Sequence, residues 1–176
     1  MGVRTIPRGF RTSRSFVPIM LQRKQTLFLL LAAICGAPTF VFPVDSFVRG
    51  DQGFVFRTTG FFTREGTPVV DAAAKVPFAV LLGFLSALLL AIAFMYKNRA
   101  RQLRLARIVN LLLLAVVVFL FITDNSIRAY LEQGGKVSNS FGLSAILPLV
   151  MIVFTFLAER GIRKDEELVK SMDRLR

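Results

Sequence analysis

The chain lacks histidine and tryptophan altogether, and it contains a single cysteine among 176 residues. Without histidine, the protein has neither the commonest general base nor the commonest metal ligand. The lone Cys35 excludes an intramolecular disulfide and a cysteine-based metal site. The sequence also contains no glycine-rich phosphate loop, zinc-ligand spacing or nucleophilic serine motif. We therefore predict no catalytic residues, no metal, no cofactor and no enzymatic activity.

Acidic residues are scarce, since 11 Asp and Glu stand against 23 Lys and Arg, for a formal net charge of +12. Such an excess suits either nucleic acid or an anionic membrane surface. The cations concentrate in residues 1–24, 97–107 and 160–176, which flank long apolar runs. This placement favours a lipid bilayer with anionic lipid as the partner and argues against nucleic acid.

Long apolar runs dominate the rest of the sequence, in which 54% of residues are hydrophobic. The four runs cover residues 26–44, 76–96, 108–127 and 141–158. Each approaches the ~20 residues that a helix needs to cross a bilayer. The sequence therefore predicts an all-α membrane protein with four transmembrane helices in a domain of residues 25–159. A cleaved signal peptide is the alternative for the first run, but Ala37 before Pro38 makes a poor cleavage site, so an uncleaved anchor is preferred.

A basic cluster between the second and third runs sets the predicted orientation. Its five cations are Lys97, Arg99, Arg101, Arg104 and Arg107. Cytoplasmic loops carry an excess of Lys and Arg, so residues 97–107 are predicted to form an inner loop. The outer loops are then residues 45–75 and 128–140, and both termini are cytoplasmic. Residues 1–24 form a basic arm, for which we prefer a start at Met20, with residues 1–19 as an extension, over a transit peptide or a disordered arm.

Small residues recur at four-residue intervals in the first two runs. This spacing places them on one helix face, where small side chains let a second helix approach closely. We predict that they form the seam between the first two helices, or alternatively a homo-oligomer interface. The residues are Ala32, Gly36, Ala79, Gly83, Ala87 and Ala91.

The first predicted outer loop is rich in phenylalanine. Gly60 separates residues 54–59 from residues 61–64, and the two halves are predicted to pair as a short hairpin. The rings either lie in the membrane interface and cover the helices, or they dock a protein partner, since exposed apolar patches mark contacts.

The tail, residues 160–176, has the spacing of an amphipathic helix. Its acidic residues are predicted to clasp the arginines of the basic cluster, and its apolar side chains are the alternative, a docking site for a cytoplasmic partner. The acids are Asp165, Glu166, Glu167 and Asp173, and the apolar residues are Leu168, Met172 and Leu175.

Two segments together resemble an uncharacterised Bacteroidetes family of four-span membrane proteins, a domain of unknown function. They are QRKQTLFLLLAAI at residues 22–34 and RKDEELVKSMDRLR at residues 163–176. The resemblance covers about residues 20–176. It implies a multi-pass protein of the bacterial inner membrane, and it implies no activity.

The sequence favours an accessory or scaffold subunit of a membrane assembly. The chain is small, and no ionisable residue lies at the middle of a predicted span, where transporters place functional charges. A small transporter or channel that acts as an oligomer is the alternative function.

Overall fold

The computed structural model describes residues 24–69, 76–95 and 98–174. This part of the chain forms four α-helices and a four-stranded sheet. In chain order the elements are α1 (Lys24–Gly36), a 3₁₀ turn (Ala37–Phe40), β1 (Asp45–Arg49), β2 (Gln52–Arg57), β3 (Gly60–Thr63), α2 (Phe78–Phe94), α3 (Arg99–Glu132), β4 (Ser138–Phe141) and α4 (Leu143–Arg174). The basic arm before residue 24 and the end of the tail after residue 174 lie outside the described residues.

The helices pack around a shared apolar core. Helix α1 contacts α2 and α4, and α3 contacts the same two helices. One fully buried residue from each helix illustrates this core: Leu29, Leu89, Leu113 and Met151. Burying each such side chain contributes roughly 1.5–3 kcal/mol of stability relative to leaving it exposed to water.

The sheet has the strand order β3-β2-β1-β4, and all its neighbours are antiparallel. Strand β4 pairs with β1 although it follows α3 in the chain, so the sheet joins two distant segments. The sheet's inner face, which packs toward the helices, carries four buried rings: Phe47, Phe54, Phe56 and Phe61. The rings of Phe56 and Phe78, the first residue of α2, meet edge to face at 6.3 Å. The predicted hairpin around Gly60 is confirmed as the β2–β3 pair.

The prediction of an all-α protein with four transmembrane helices is wrong. The chain is mixed α/β, and within the described ranges only two helices, Arg99–Glu132 and Leu143–Glu167, are long and apolar enough to cross a membrane. Helix α1 ends after 13 residues, because Pro38 and Pro43 turn the chain into the 3₁₀ turn and toward β1. Helix α2 has 17 residues, since it starts only after Pro77. The first two apolar runs were thus longer than the helices that they contain.

Two boundaries differ from the predicted segments. Helix α3 begins at Arg99, so most of residues 97–107 is helical. Helix α4 runs unbroken from Leu143 to Arg174 and contains Pro148, so the predicted last span and most of the tail form one continuous helix. The structure therefore carries the basic cluster and the tail on extensions of the two long helices.

We expect Gly36→Ala to destabilise the protein. A methyl group at Gly36 would clash with the hydroxyl of Ser86 on α2, which donates to the Leu82 carbonyl at 2.8 Å. Overpacking of this kind costs about 1–3 kcal/mol, and the loss is measured as a lower Tm in detergent.

Gly83→Ala is the matched control, because its methyl would meet only the tip of the exposed Phe40 ring, at 3.3 Å. Alanine is also the better helix former. Adding Ser86→Gly to Gly36→Ala removes the clash and should restore most of the lost Tm. Equal Tm values for Gly36→Ala and Gly83→Ala would contradict this packing.

Candidate functional site

A polar seam joins the sheet end of the helices to the segments around it. The hydroxyl of Thr58, just after β2, donates to the Thr39 carbonyl at 2.8 Å. Ser144, at the start of α4, donates to the carbonyls of Phe42 at 2.7 Å and Thr39 at 3.2 Å. Thr39, Thr58 and Ser144 are all buried. These bonds satisfy carbonyls that the turn after α1 leaves without helical partners, as buried polar groups require.

Asp45, the first residue of β1, is completely buried in this seam. Its Oδ1 accepts the backbone N–H groups of Ser46 at 2.7 Å and Ser140 at 3.0 Å. Its Oδ2 accepts the side-chain amide of Asn139 at 2.8 Å. One carboxylate therefore fastens β4 to β1, although the two strands are far apart in the chain.

Asp124 of α3 faces Asp45 from the helical side. Only 5% of Asp124 is exposed, its Oδ1 has no hydrogen-bond partner among the described residues, and its carboxyl lies close enough to that of Asp45 for the two to repel each other when both are charged. Arg128, one turn later, lies close enough to attract the negative charge of Asp124, but its guanidinium forms an ion pair with Glu132 at 2.9 Å. The seam thus contains a pair of acids, which is the chemically most distinctive arrangement in the described structure.

Arg49 provides a second tie between the sheet and α3. Its guanidinium donates to the Leu131 carbonyl at 3.4 Å and to Gln52 at 2.9 Å, and it lies 5.5 Å from the centre of the Phe54 ring. The carbonyls of the last helical turn are without helical partners, so a cation there is favourable. Arg49 and Asp45 hold the two ends of β1 against other elements.

The sequence analysis missed the acid pair, because it looked for ionisable residues at the middle of the predicted spans, and Asp124 lies near the end of the run 108–127. Helix α3 instead continues to Glu132. Its buried residues recur at three- and four-residue intervals through the position of Asp124: Leu113, Val116, Val117, Leu120, Asp124, Ile127 and Leu131. Extending the periodicity past residue 122 would have placed Asp124 on the buried face.

The opposite end of the helices carries the predicted basic cluster. Arg107 of α3 forms an ion pair with Glu159 of α4 at 2.6 Å, and Arg99 donates to the backbone carbonyl of Asp165 at 3.3 Å. Arg101 and Arg104 are exposed, and Lys97 lies outside the described residues. The structure thus brings the cluster against α4 through one side-chain pair and one backbone contact.

The other predicted tail residues have different positions. Glu167 is exposed and pairs with Arg163 at 3.1 Å on its own helix, while Glu166 is half-buried. The side chains of Leu168, Met172 and Asp173 lie outside the described part of the chain, as does all of Leu175. Ile162, which begins the apolar side of the tail, is fully buried.

The predicted small-residue seam is divided in the structure. Ala32 and Gly36 are buried on α1, and Gly36 lies against Ser86 of α2. On α2 the four small residues lie apart from this contact: Ala79 and Gly83 are half-buried, and Ala87 and Ala91 are exposed. A close contact between α1 and α2 therefore involves Gly36 and Ser86, a residue that the sequence analysis did not place in the seam.

Several polar residues inside the helices bond backbone carbonyls, as expected for hydroxyls in apolar surroundings. Ser86 and Thr155 each donate to the carbonyl four residues earlier, at 2.8 Å. Gln102 is buried and donates to the Ile92 carbonyl at 2.9 Å, which ties the end of α2 to the start of α3. Among the described residues, no three His, Cys, Asp or Glu side chains group as a metal site.

The fold and its seam define a small mixed α/β protein in which an antiparallel sheet covers one end of four packed helices. The chain belongs to the family described as a domain of unknown function, DUF4293, whose family model matches residues 21–175. This match confirms the resemblance to a domain of unknown function. A comparison with curated proteins finds no match.

We expect Asp45→Asn and Asp124→Asn to change the free energy of unfolding in different directions or by different amounts. Asp45→Asn removes a carboxylate that accepts three hydrogen bonds, and it should lower the free energy of unfolding by about 1–3 kcal/mol. Asp124→Asn supplies an N–H donor to Asp45 without a second carboxyl, so stability should be unchanged or higher. The measurement is thermal unfolding in detergent at neutral pH. A larger loss for Asp124→Asn than for Asp45→Asn would contradict the assigned roles.

Proposed function

We propose that this protein is an integral membrane protein that serves as an accessory or scaffold subunit of a membrane assembly. Helices α3 and α4 cross the bilayer, and the sheet at one end presents a folded surface to a partner. The bilayer is that of a bacterial inner membrane. The protein performs no catalysis of its own.

The observation that carries the membrane assignment is the low burial of the two most apolar helices. In the most apolar 18-residue stretch of each candidate span, only 33% of the residues are buried. A core helix of a water-soluble protein of this apolarity would be mostly buried. Here the exposed rows consist of large apolar side chains, among them Leu111, Phe119, Val153 and Phe156. Lipid is the solvent that such rows require.

Charge supports a single orientation of these helices. The basic start of α3 lies beside the charged second half of α4, as the Arg107–Glu159 pair shows. Because Lys and Arg concentrate on the cytoplasmic side, this end is inside and the sheet end is outside. Exposed Arg101 and Arg104 are then available to anionic lipid, each contributing about 1 kcal/mol.

The scaffold role follows from how the polar groups are used. The buried hydroxyls of Thr58 and Ser144, the carboxylate of Asp45 and the amide of Gln102 all bind groups on other elements and so hold elements together. The Phe-rich segment, one of the two proposed partner-binding regions, is folded into a hydrogen-bonded sheet, and surfaces that are already folded bind with a smaller entropic cost than disordered segments. The cytoplasmic tail, the other proposed region, extends α4 beyond the apolar stretch.

The alternative function, an oligomeric transporter or channel, is favoured by one observation. Asp124 is a buried carboxyl on a candidate span, and ionisable residues there often mark ion or proton pathways. It ranks second because Asp45, the partner of Asp124, is held by three donors from the strands, which fits a structural fastening.

Orientation is tested by cysteine labelling in intact cells. Cys35 is the only native cysteine, so Cys35→Ser gives a clean background. In that background Lys136→Cys should react with a membrane-impermeant maleimide from outside, whereas Arg101→Cys and Lys164→Cys should react only after the cells are opened. Labelling of Arg101→Cys from outside would contradict the orientation.

The scaffold role is tested by isolating the tagged protein from its native membrane in a mild detergent and crosslinking it. We expect a stoichiometric membrane partner that is lost when the sheet variant Asp45→Asn replaces the native chain. Gly83→Ala serves as the control that should retain the partner. Recovery of only a monodisperse homo-oligomer that conducts ions in liposomes would contradict the scaffold role and support the channel.

A further inference from the structure

The outer face of the sheet, which points away from the helices, carries two arginines, Arg57 and Arg64, at opposite ends of the β2–β3 hairpin. On β2 this face consists of Gly53, Val55 and Arg57, since the alternate positions are the buried phenylalanines. Arg57 pairs in register with Gly60, and Val55 pairs with Phe62. Arg64, which follows β3, lies over Gly53, whose added Cβ would touch the Arg64 side chain at 3.0 Å.

Gly53 therefore leaves room for the Arg64 side chain, and Gly60, opposite Arg57, leaves room for the Phe62 ring, which an added Cβ would meet at 3.3 Å. Val55 and Phe62, both half-buried, lie between Arg57 and Arg64. Together with Thr59, Thr63 and Gly66, these residues line an open hollow of about 240 Å³. The surface is thus an apolar floor with a cation at each end.

Neither arginine is neutralised within the described structure. Arg57 and Arg64 are exposed, and the ion pairs found in the described ranges involve other arginines. Asp51 and Glu65 line the adjoining hollow on the other side of Arg64 without pairing with it. Two exposed cations beside an apolar floor attract a ligand that has two anionic groups and an apolar group between them.

The spacing selects the form of that ligand. Arg57 and Gly53, the position covered by Arg64, are four residues apart on one strand, which corresponds to about 13 Å. In an extended peptide, side chains at positions i, i+2 and i+4 point the same way and span the same distance. We infer that this face binds an extended acidic segment of a partner protein, with acidic residues at positions i and i+4 and an apolar residue at i+2.

The sheet's orientation favours a peptide over the headgroups of the surrounding bilayer. The inner face of the sheet packs toward the helices through Phe56 and Phe78, so the arginine face is directed away from them. In the orientation proposed above, anionic headgroups would surround the helices, and this face is directed away from the helices. The inference rests on the proposed function, since it names the chemistry of the partner that the sheet would dock.

The test is direct titration of the full chain in zwitterionic nanodiscs with a fluorescent peptide, fluorescein-Thr-Glu-Thr-Leu-Thr-Glu-Thr-amide. We expect saturable binding that weakens with salt, because exposed charges are screened. Three peptide controls should bind more weakly: one with Gln for both Glu, one with Ser for Leu, and one of the same composition with the two Glu adjacent.

Variants of the protein test whether the peptide binds at the arginine face. Arg57→Glu and Arg64→Glu should each weaken the affinity about tenfold or more, because attraction becomes repulsion. Lys136→Glu is the matched charge reversal outside the arginine face and should have little effect. The double variant Asp51→Asn with Glu65→Gln should bind at least as tightly as the native chain, since it removes competing acids. Unchanged Tm values would show that the folds are intact.

Absence of binding, or equal loss with Lys136→Glu, would overturn the inference. Binding of anionic vesicles that depends on Arg57 and Arg64, without peptide binding, would also overturn it and assign the face to lipid. A failed peptide titration with a native partner still recovered would leave the proposed function standing. Peptide binding without recovery of any native partner would support the proposed peptide site and contradict the scaffold role.

Discussion

The structure depends on one buried carboxylate at the junction of sheet and helices. Asp45 collects two backbone N–H groups and one side-chain amide from β1 and β4, and it meets Asp124 of α3. This carboxylate adds side-chain hydrogen bonds to the backbone pairing between β1 and β4, which extends over only four residues of each strand. Because β4 links α3 to α4, its position also fixes where both long helices meet the sheet. The fold therefore couples two apolar helices to a polar outer layer through one ionisable group.

Much of the helical part followed from the sequence, because long apolar runs and basic flanks are strong signals. The errors arose at the ends of helices. Pro38 and Pro43 divert the first run before it reaches the length of a span, and hydropathy alone does not register that change. The hairpin was predictable from Gly60, but β4 was not. Its sequence Ser-Asn-Ser-Phe has no strand signal, and it becomes a strand by pairing with β1.

The polar contacts were less predictable than the elements. Charge placement indicated that the basic cluster would meet the tail, yet the actual contacts are an ion pair with Glu159 and an arginine bonded to a backbone carbonyl. A backbone acceptor leaves no trace in the sequence. The arginine face of the sheet likewise depends on strand register, which brings Arg57 and Arg64 to opposite corners of one surface. Register is fixed by turn geometry and by burial of the phenylalanine face.

The account rests on the assignment of the outward rows of α3 and α4 to lipid. Spin labels in liposomes test it directly, with single cysteines at exposed Val153 and Phe156 and at buried Thr155. The account predicts that labels at residues 153 and 156 collide freely with oxygen but not with a polar nickel complex, while the label at residue 155 collides with neither. High accessibility to the nickel complex at residues 153 and 156 would place this face in water and contradict the membrane assignment.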